Sequence, residues 1–117
     1  MIEQRNTEQF RRELPDQGRI TVVEFYTDGC PACKTMTTLL EKLSADWHDR
    51  ESRVRFWKVN VGEERELMNE YAIRSVPTLM VFREVVREAE SVGAVGRSKV
   101  DEMIRLALER AYVLGRS

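Results

Sequence analysis

The chain carries only two cysteines, and both lie in Asp28-Gly29-Cys30-Pro31-Ala32-Cys33-Lys34 with two residues between them. A continuous apolar run, Ile20 to Tyr26, leads into this stretch and reads as a buried strand. A helical pattern leads out of it, with Met36, Leu39, Leu40, Leu43 and Trp47 on one face. A Cys-x-x-Cys is therefore expected where a strand ends and a helix begins. Pro31 falls near the first helical position, where its missing N–H costs nothing and its fixed φ suits the helix. Cys30 falls among the unpaired N–H groups and the positive dipole end of that helix, and both favour a thiolate. Cys33 is within reach of Cys30 for a short disulfide loop, so the pair can cycle between dithiol and disulfide.

The residues alone leave three readings of the pair: a redox couple, two small core residues, or half of a metal site completed by another subunit. For the last, one chain offers two thiolates and a distant His48, too few for a tetrahedral zinc site. No metal and no organic cofactor is expected. Two cysteines so close together are no structural disulfide framework.

At 117 residues the chain is expected to form one domain, residues 1–117, with a core of its own. A net charge of −1 gives no reason to expect nucleic acid or an anionic membrane as partner. No apolar run approaches the roughly 18 residues of a membrane span. Met1 to Asn6 lacks the apolar segment of a signal peptide, so a cytoplasmic location is expected.

In chain order, residues 7–14 read as a short helix capped by Asn6 or Thr7 and ended by Pro15. Asp16-Gln17-Gly18 reads as a turn. The helix after the cysteines is expected to reach about Trp47, with His48 to Ser52 as a polar, solvated break. Val54 to Val61 reads as a strand, Glu63 to Ala72 as a helix with Leu67, Met68 and Tyr71 inward, and Leu79 to Phe82 as a further strand. Val86 to Val92 is expected at a sheet edge, although Arg83-Glu84-Val85 before it carries no Gly, Asn or Asp turn signal. Ser98 and Asp101 have the spacing of a capping box for a last helix with Val100, Met103, Ile104, Ala107 and Ala111 inward. The order α-β-α-β-α-β-β-α predicts an α/β fold. Its early strands should be parallel through right-handed crossovers and its last two an antiparallel hairpin.

Several stretches together resemble the thioredoxin family over nearly the whole chain. They are Val23-Glu24-Phe25-Tyr26, Cys30-Pro31-Ala32-Cys33-Lys34, Lys58-Val59-Asn60, Tyr71 to Leu79 and Val92-Gly93-Ala94, with Val76-Pro77-Thr78 beginning 43 residues beyond Cys33. The resemblance implies a thioredoxin fold, a mixed four- to five-stranded central sheet with helices on both faces. It implies a thiol–disulfide oxidoreductase in which Cys30 attacks a partner's disulfide and Cys33 resolves the mixed disulfide. By the same likeness Pro77 is a cis-proline after Val76 whose loop helps dock the partner, and Gly93 is a glycine beside the site. Glu24 takes the place of a buried Asp that relays a proton to the second cysteine. The chain departs from the family in having Gly29 where Trp is usual, Pro-Ala between the cysteines, and Thr38 in place of a helix-kinking proline.

Glu24 is a lone carboxylate in a strand whose neighbours Val23 and Phe25 face one way while Val22 and Glu24 face the other. Burying it ionised is expensive. Lys58, on a strand expected alongside, is the candidate ion-pair partner and tunes the same acid. Burial raises the carboxyl's pKa and the ammonium lowers it. The expected partners are disulfide-bearing proteins and a protein electron donor, met by a monomer. A non-enzymatic adaptor with incidental cysteines is the alternative reading.

Overall fold

The structure, a computed structural model, describes residues 1–115; residues 116–117 of the expected domain lie outside the described residues. Nine elements follow in the order β1 (Ile2–Gln4), α1 (Thr7–Glu13), β2 (Ile20–Tyr26), α2 (Pro31–Arg50), β3 (Val54–Asn60), α3 (Arg65–Glu70), β4 (Thr78–Arg83), β5 (Val86–Val92) and α4 (Arg97–Gly115). The strands form one sheet in the order β1-β3-β2-β4-β5. β3 is parallel to β1 and β2, whereas β4 is antiparallel to both β2 and β5. This is the mixed sheet that the element order predicts.

Alternation along the strands divides the core in two. Val22, Leu79 and Val81 pack with Met36, Leu40, Leu43 and Trp47 of α2 and Val100, Met103, Ile104 and Ala107 of α4. Val23, Phe25, Trp57, Met80 and Phe82 pack on the opposite face with Phe10 of α1 and Leu67 of α3. Each sheet face is thus sealed by two helices of the same chain. β2 has no exposed edge, and its residues from Ile20 to Phe25 are all buried.

Four local expectations are corrected. β1 was not expected: its three residues are too few for a hydrophobic period, and pairing with β3 defines the strand rather than propensity. α2 continues through His48 to Arg50, so the polar stretch after Trp47 is the solvated last turn of a helix. α3 is shorter than the predicted 63–72 and spans six residues. Ser98 lies inside the first turn of α4 instead of capping it. Asp101 accepts a 2.9 Å hydrogen bond from Trp47 Nε1, tying α4 to α2. At the other end of the chain, Asn6 does cap α1, in a reciprocal box with Gln9.

The β4–β5 turn explains its missing signal. Glu84 adopts a positive φ of 53°. Its N–H donates to Arg19 O at 3.0 Å, and its carboxylate accepts from Gly18 N–H at 3.0 Å. Contacts from the loop before β2 set this turn in place of glycine or asparagine.

Candidate active site

Register places the site. Phe25 of β2 pairs with Thr78 at the start of β4, and Thr78 pairs with Val92 at the end of β5. The loop carrying the cysteines, the loop carrying Val76 and Pro77, and Gly93 therefore meet at one end of the sheet.

The cysteine loop is built from both sides. Gly29 takes a φ of +71°, which turns the chain from strand to helix and which L side chains rarely adopt. Asn60, at the end of β3, donates through Nδ2 to Asp28 Oδ1 at 3.3 Å and accepts from Gly62 N–H at 3.0 Å. Cys30 is the N-cap of α2 with extended backbone, Pro31 opens the helix, and Cys30 Sγ accepts the Cys33 N–H at 3.2 Å. The two cysteines are joined by a disulfide with Cα atoms 5.2 Å apart. Cys30 is half-buried, whereas Cys33 is only 2% exposed.

The Val76–Pro77 peptide bond is cis. Pro77 is buried and Val76 half-buried. Thr78 Oγ1 donates to Ser75 O at 2.7 Å and Gly93 N–H donates to Pro77 O at 2.8 Å, so the proline loop is clamped to the end of β5. Gly93 itself has a φ of +90°.

Glu24 is fully buried on the β2 face that packs against α2. Its Oε1 accepts a 2.6 Å hydrogen bond from Thr37 Oγ1, and among the described residues its Oε2 has no partner. Lys58 is its register neighbour on β3, yet no ion pair joins them among the described residues. Lys58 Nζ instead lies 5.5 Å from the centroid of the Tyr26 ring. Burial pushes the Glu24 carboxyl up from its ordinary value; the Thr37 hydrogen bond and the Lys58 charge pull it part of the way back. The expected direct partner is thus replaced by a hydroxyl, and Lys58 acts at longer range. Cys30, Cys33, Lys58 and Thr37 line one open cleft of about 330 Å³ beside the disulfide.

Sequence reasoning missed Thr37 and the bracing role of Asn60. Thr37 stands four residues after Cys33, so its side chain returns over the turn that carries that cysteine; this spacing was the available signal. Among the described residues no group of three or more His, Cys, Asp or Glu side chains could hold a metal ion. No helix there is long and apolar enough to cross a membrane.

The Thioredoxin family model matches residues 1–106. The chain belongs to the thioredoxin family. It is 30% identical over 95 residues to the thioredoxin of Rickettsia bellii, covering 81% of this chain and 88% of that one. It is 30% identical over 91 residues to the thioredoxin of Acidithiobacillus ferridurans, covering 78% and 82%. Among solved structures, Chlamydomonas reinhardtii thioredoxin f2 superposes with a TM-score of 0.77 at 32% identity, over 90% of this chain and 94% of that one. Chloroplastic thioredoxin z superposes with a TM-score of 0.80 at 19% identity, over 92% and 95%, a likeness of fold. This thioredoxin-family chain is a thiol–disulfide oxidoreductase that reduces protein disulfides through a Cys30/Cys33 dithiol–disulfide cycle.

Proposed function

We propose a division of labour within this cycle. In the reduced protein the Cys30 thiolate attacks one sulfur of a partner's disulfide. The partner's S–S bond breaks, its first sulfur leaves as a thiolate that takes a proton from water, and Cys30 holds the other in a mixed disulfide. Cys33 then loses its proton to the Glu24 carboxylate and attacks Cys30 Sγ. The bond from Cys30 to the partner breaks, the second partner thiolate leaves, and Cys30–Cys33 forms. Two electrons have passed from the dithiol to the partner. A protein electron donor returns the pair to the dithiol.

The observation that carries this assignment is the difference in access: Cys30 is half-buried at the helix cap and Cys33 is 2% exposed. Only the first can meet a partner's sulfur. Val76, Pro77 and Gly93 form the clamped loop pair at the same sheet end, where an extended partner segment can dock against backbone; Pro31 fixes the helix start beneath Cys30. Lys58 tunes Glu24 at a distance. We place the chain in the cytoplasm, in electron transfer that maintains redox balance. Both its cysteines are spent on one redox pair, leaving none for a structural bridge. We read it as a single-domain monomer, because both sheet faces are covered by its own helices.

Insulin reduction with dithiothreitol as donor tests the activity. Turnover that vanishes in both Cys30→Ser and Cys33→Ser is the expected result. Parent-level turnover in Cys30→Ser would remove Cys30 from the attacking role, and no turnover in the parent would point to an adaptor.

A further inference from the structure

Three threonines in the first turns of α2 place their hydroxyls near carbonyls four residues back. Thr35 Oγ1 lies 3.3 Å from Pro31 O, Thr37 Oγ1 2.9 Å from Cys33 O, and Thr38 Oγ1 3.0 Å from Lys34 O. Such back-bonding is ordinary for threonine in helices. Thr37 alone of the three also reaches an acid, Glu24 Oε1 at 2.6 Å.

A hydroxyl carries one proton and cannot donate fully to two acceptors. With Glu24 ionised, the hydroxyl donates to the carboxylate in a charge-assisted bond. With Glu24 protonated, the acid's O–H can donate to Thr37 Oγ1, and the hydroxyl proton turns to Cys33 O. Both short contacts are then satisfied together. The remaining carboxyl oxygen, Oε2, is buried without a partner among the described residues, so Thr37 is the group whose hydrogen bond holds the acid. Thr37 also lines the cleft that contains Cys30 and Cys33, between the buried carboxyl and solvent.

We propose that Thr37 is a positioning residue whose hydroxyl switches between Glu24 and Cys33 O, setting the proton affinity of Glu24 and coupling it to the turn that bears Cys33. This deepens the reading of Glu24 as acceptor of the Cys33 proton and rests on it for its effect on turnover. The other titratable and charged groups at or beside the cleft are Lys58 on β3, Tyr26 on β2 itself, Asp28 and Cys30 in the loop before α2, and Cys33, Lys34 and Glu41 on α2. From β4 the register neighbour is Leu79, which carries no charge.

The test follows the Glu24 carboxyl directly by carbon-13 NMR across pH in the reduced protein, beside the rate of mixed-disulfide resolution. Thr37→Val keeps the shape and removes the hydroxyl, Thr37→Ala does so without adding a methyl contact, and Thr37→Ser restores it. Loss of a hydrogen bond to the ionised form should raise the Glu24 midpoint by roughly one pH unit in the Val and Ala variants. Serine should return it to the parent value, and Cys30 alkylation should be unchanged in all three. A Glu24 midpoint that stays at the parent value in both Val and Ala overturns the proposal, since a purely structural threonine would behave so. A midpoint that moves while the resolution profile does not supports the switch and instead removes Glu24 from the relay.

Discussion

Glu24 and Lys58 are paired in register across β2 and β3, yet the ammonium sits over the Tyr26 ring and the carboxyl is held by Thr37. The charge of Lys58 therefore reaches Glu24 through space and not through a contact. It acts in the same direction as the Thr37 hydrogen bond but with a smaller share. Lys58→Met should raise the Glu24 midpoint by less than Thr37→Val does. Carbon-13 titration of the two variants side by side decides this, and a larger shift in Lys58→Met would reverse the order.

Glu24→Gln should gain stability at high pH. The folded-state pKa of Glu24 is raised, so the folded chain binds its proton more tightly than the unfolded chain does. Its contribution is then fully present below the unfolded value, about 4.3, and is lost as pH rises through the raised folded value. Glutamine has no such dependence. Urea unfolding at pH 5 and pH 8.5 should show the variant's advantage growing with pH. An advantage equal at both values would contradict the raised carboxyl.

Cys33→Ser should trap partners that Cys30 has attacked, because the resolving sulfur is gone. Cys30→Ser should trap almost none, since Cys33 is buried. Non-reducing gels with a disulfide-bearing protein compare the two. Equal yields of mixed disulfide would break the assignment of roles. Iodoacetamide should also modify Cys30 at lower pH than Cys33, as its place at the helix cap requires.

Asp101→Ala should cost about 1–3 kcal/mol of stability by leaving the buried Trp47 N–H without its acceptor. Asp101→Asn keeps an oxygen there and should cost clearly less. Denaturant midpoints of the two variants check the ordering. Equal losses would assign the effect to the Arg97–Asp101 ion pair instead.

Gly93→Ala should lose about 1–2 kcal/mol, the cost of a left-handed backbone at a residue with a Cβ. The added methyl would meet nothing within 4 Å, so any loss belongs to the backbone and to the Gly93–Pro77 hydrogen bond. Thermal unfolding together with the second-order rate of insulin attack measures both. An unchanged rate would take Gly93 out of the docking surface.

Long periodic segments were legible in the sequence because a single face had to be buried. Ile20–Tyr26, Val86–Val92 and the inward stripes of α2 and α4 are found as expected. What escaped was decided between segments distant in sequence. β1 exists by pairing with β3, and the turn at Glu84 is shaped by Arg19 and Gly18. Asp101 has the spacing of a cap but serves Trp47, 54 residues away. At the site, the spacing of the cysteines announced their chemistry. The buried partner of Glu24 could not be read, because the choice of the Thr37 hydroxyl over the Lys58 ammonium is made by distances that no sequence pattern encodes.

The unequal exposure of Cys30 and Cys33 has a kinetic corollary. In the proposed cycle a partner held by Cys30 is released by a sulfur of the same molecule, in a unimolecular step. Where that step outruns attack by outside thiols, the residence time is independent of how much free thiol surrounds it. Dilution then changes how often partners are captured, while the interval before each is let go is set by the Cys33 attack and by the partner's own leaving thiol.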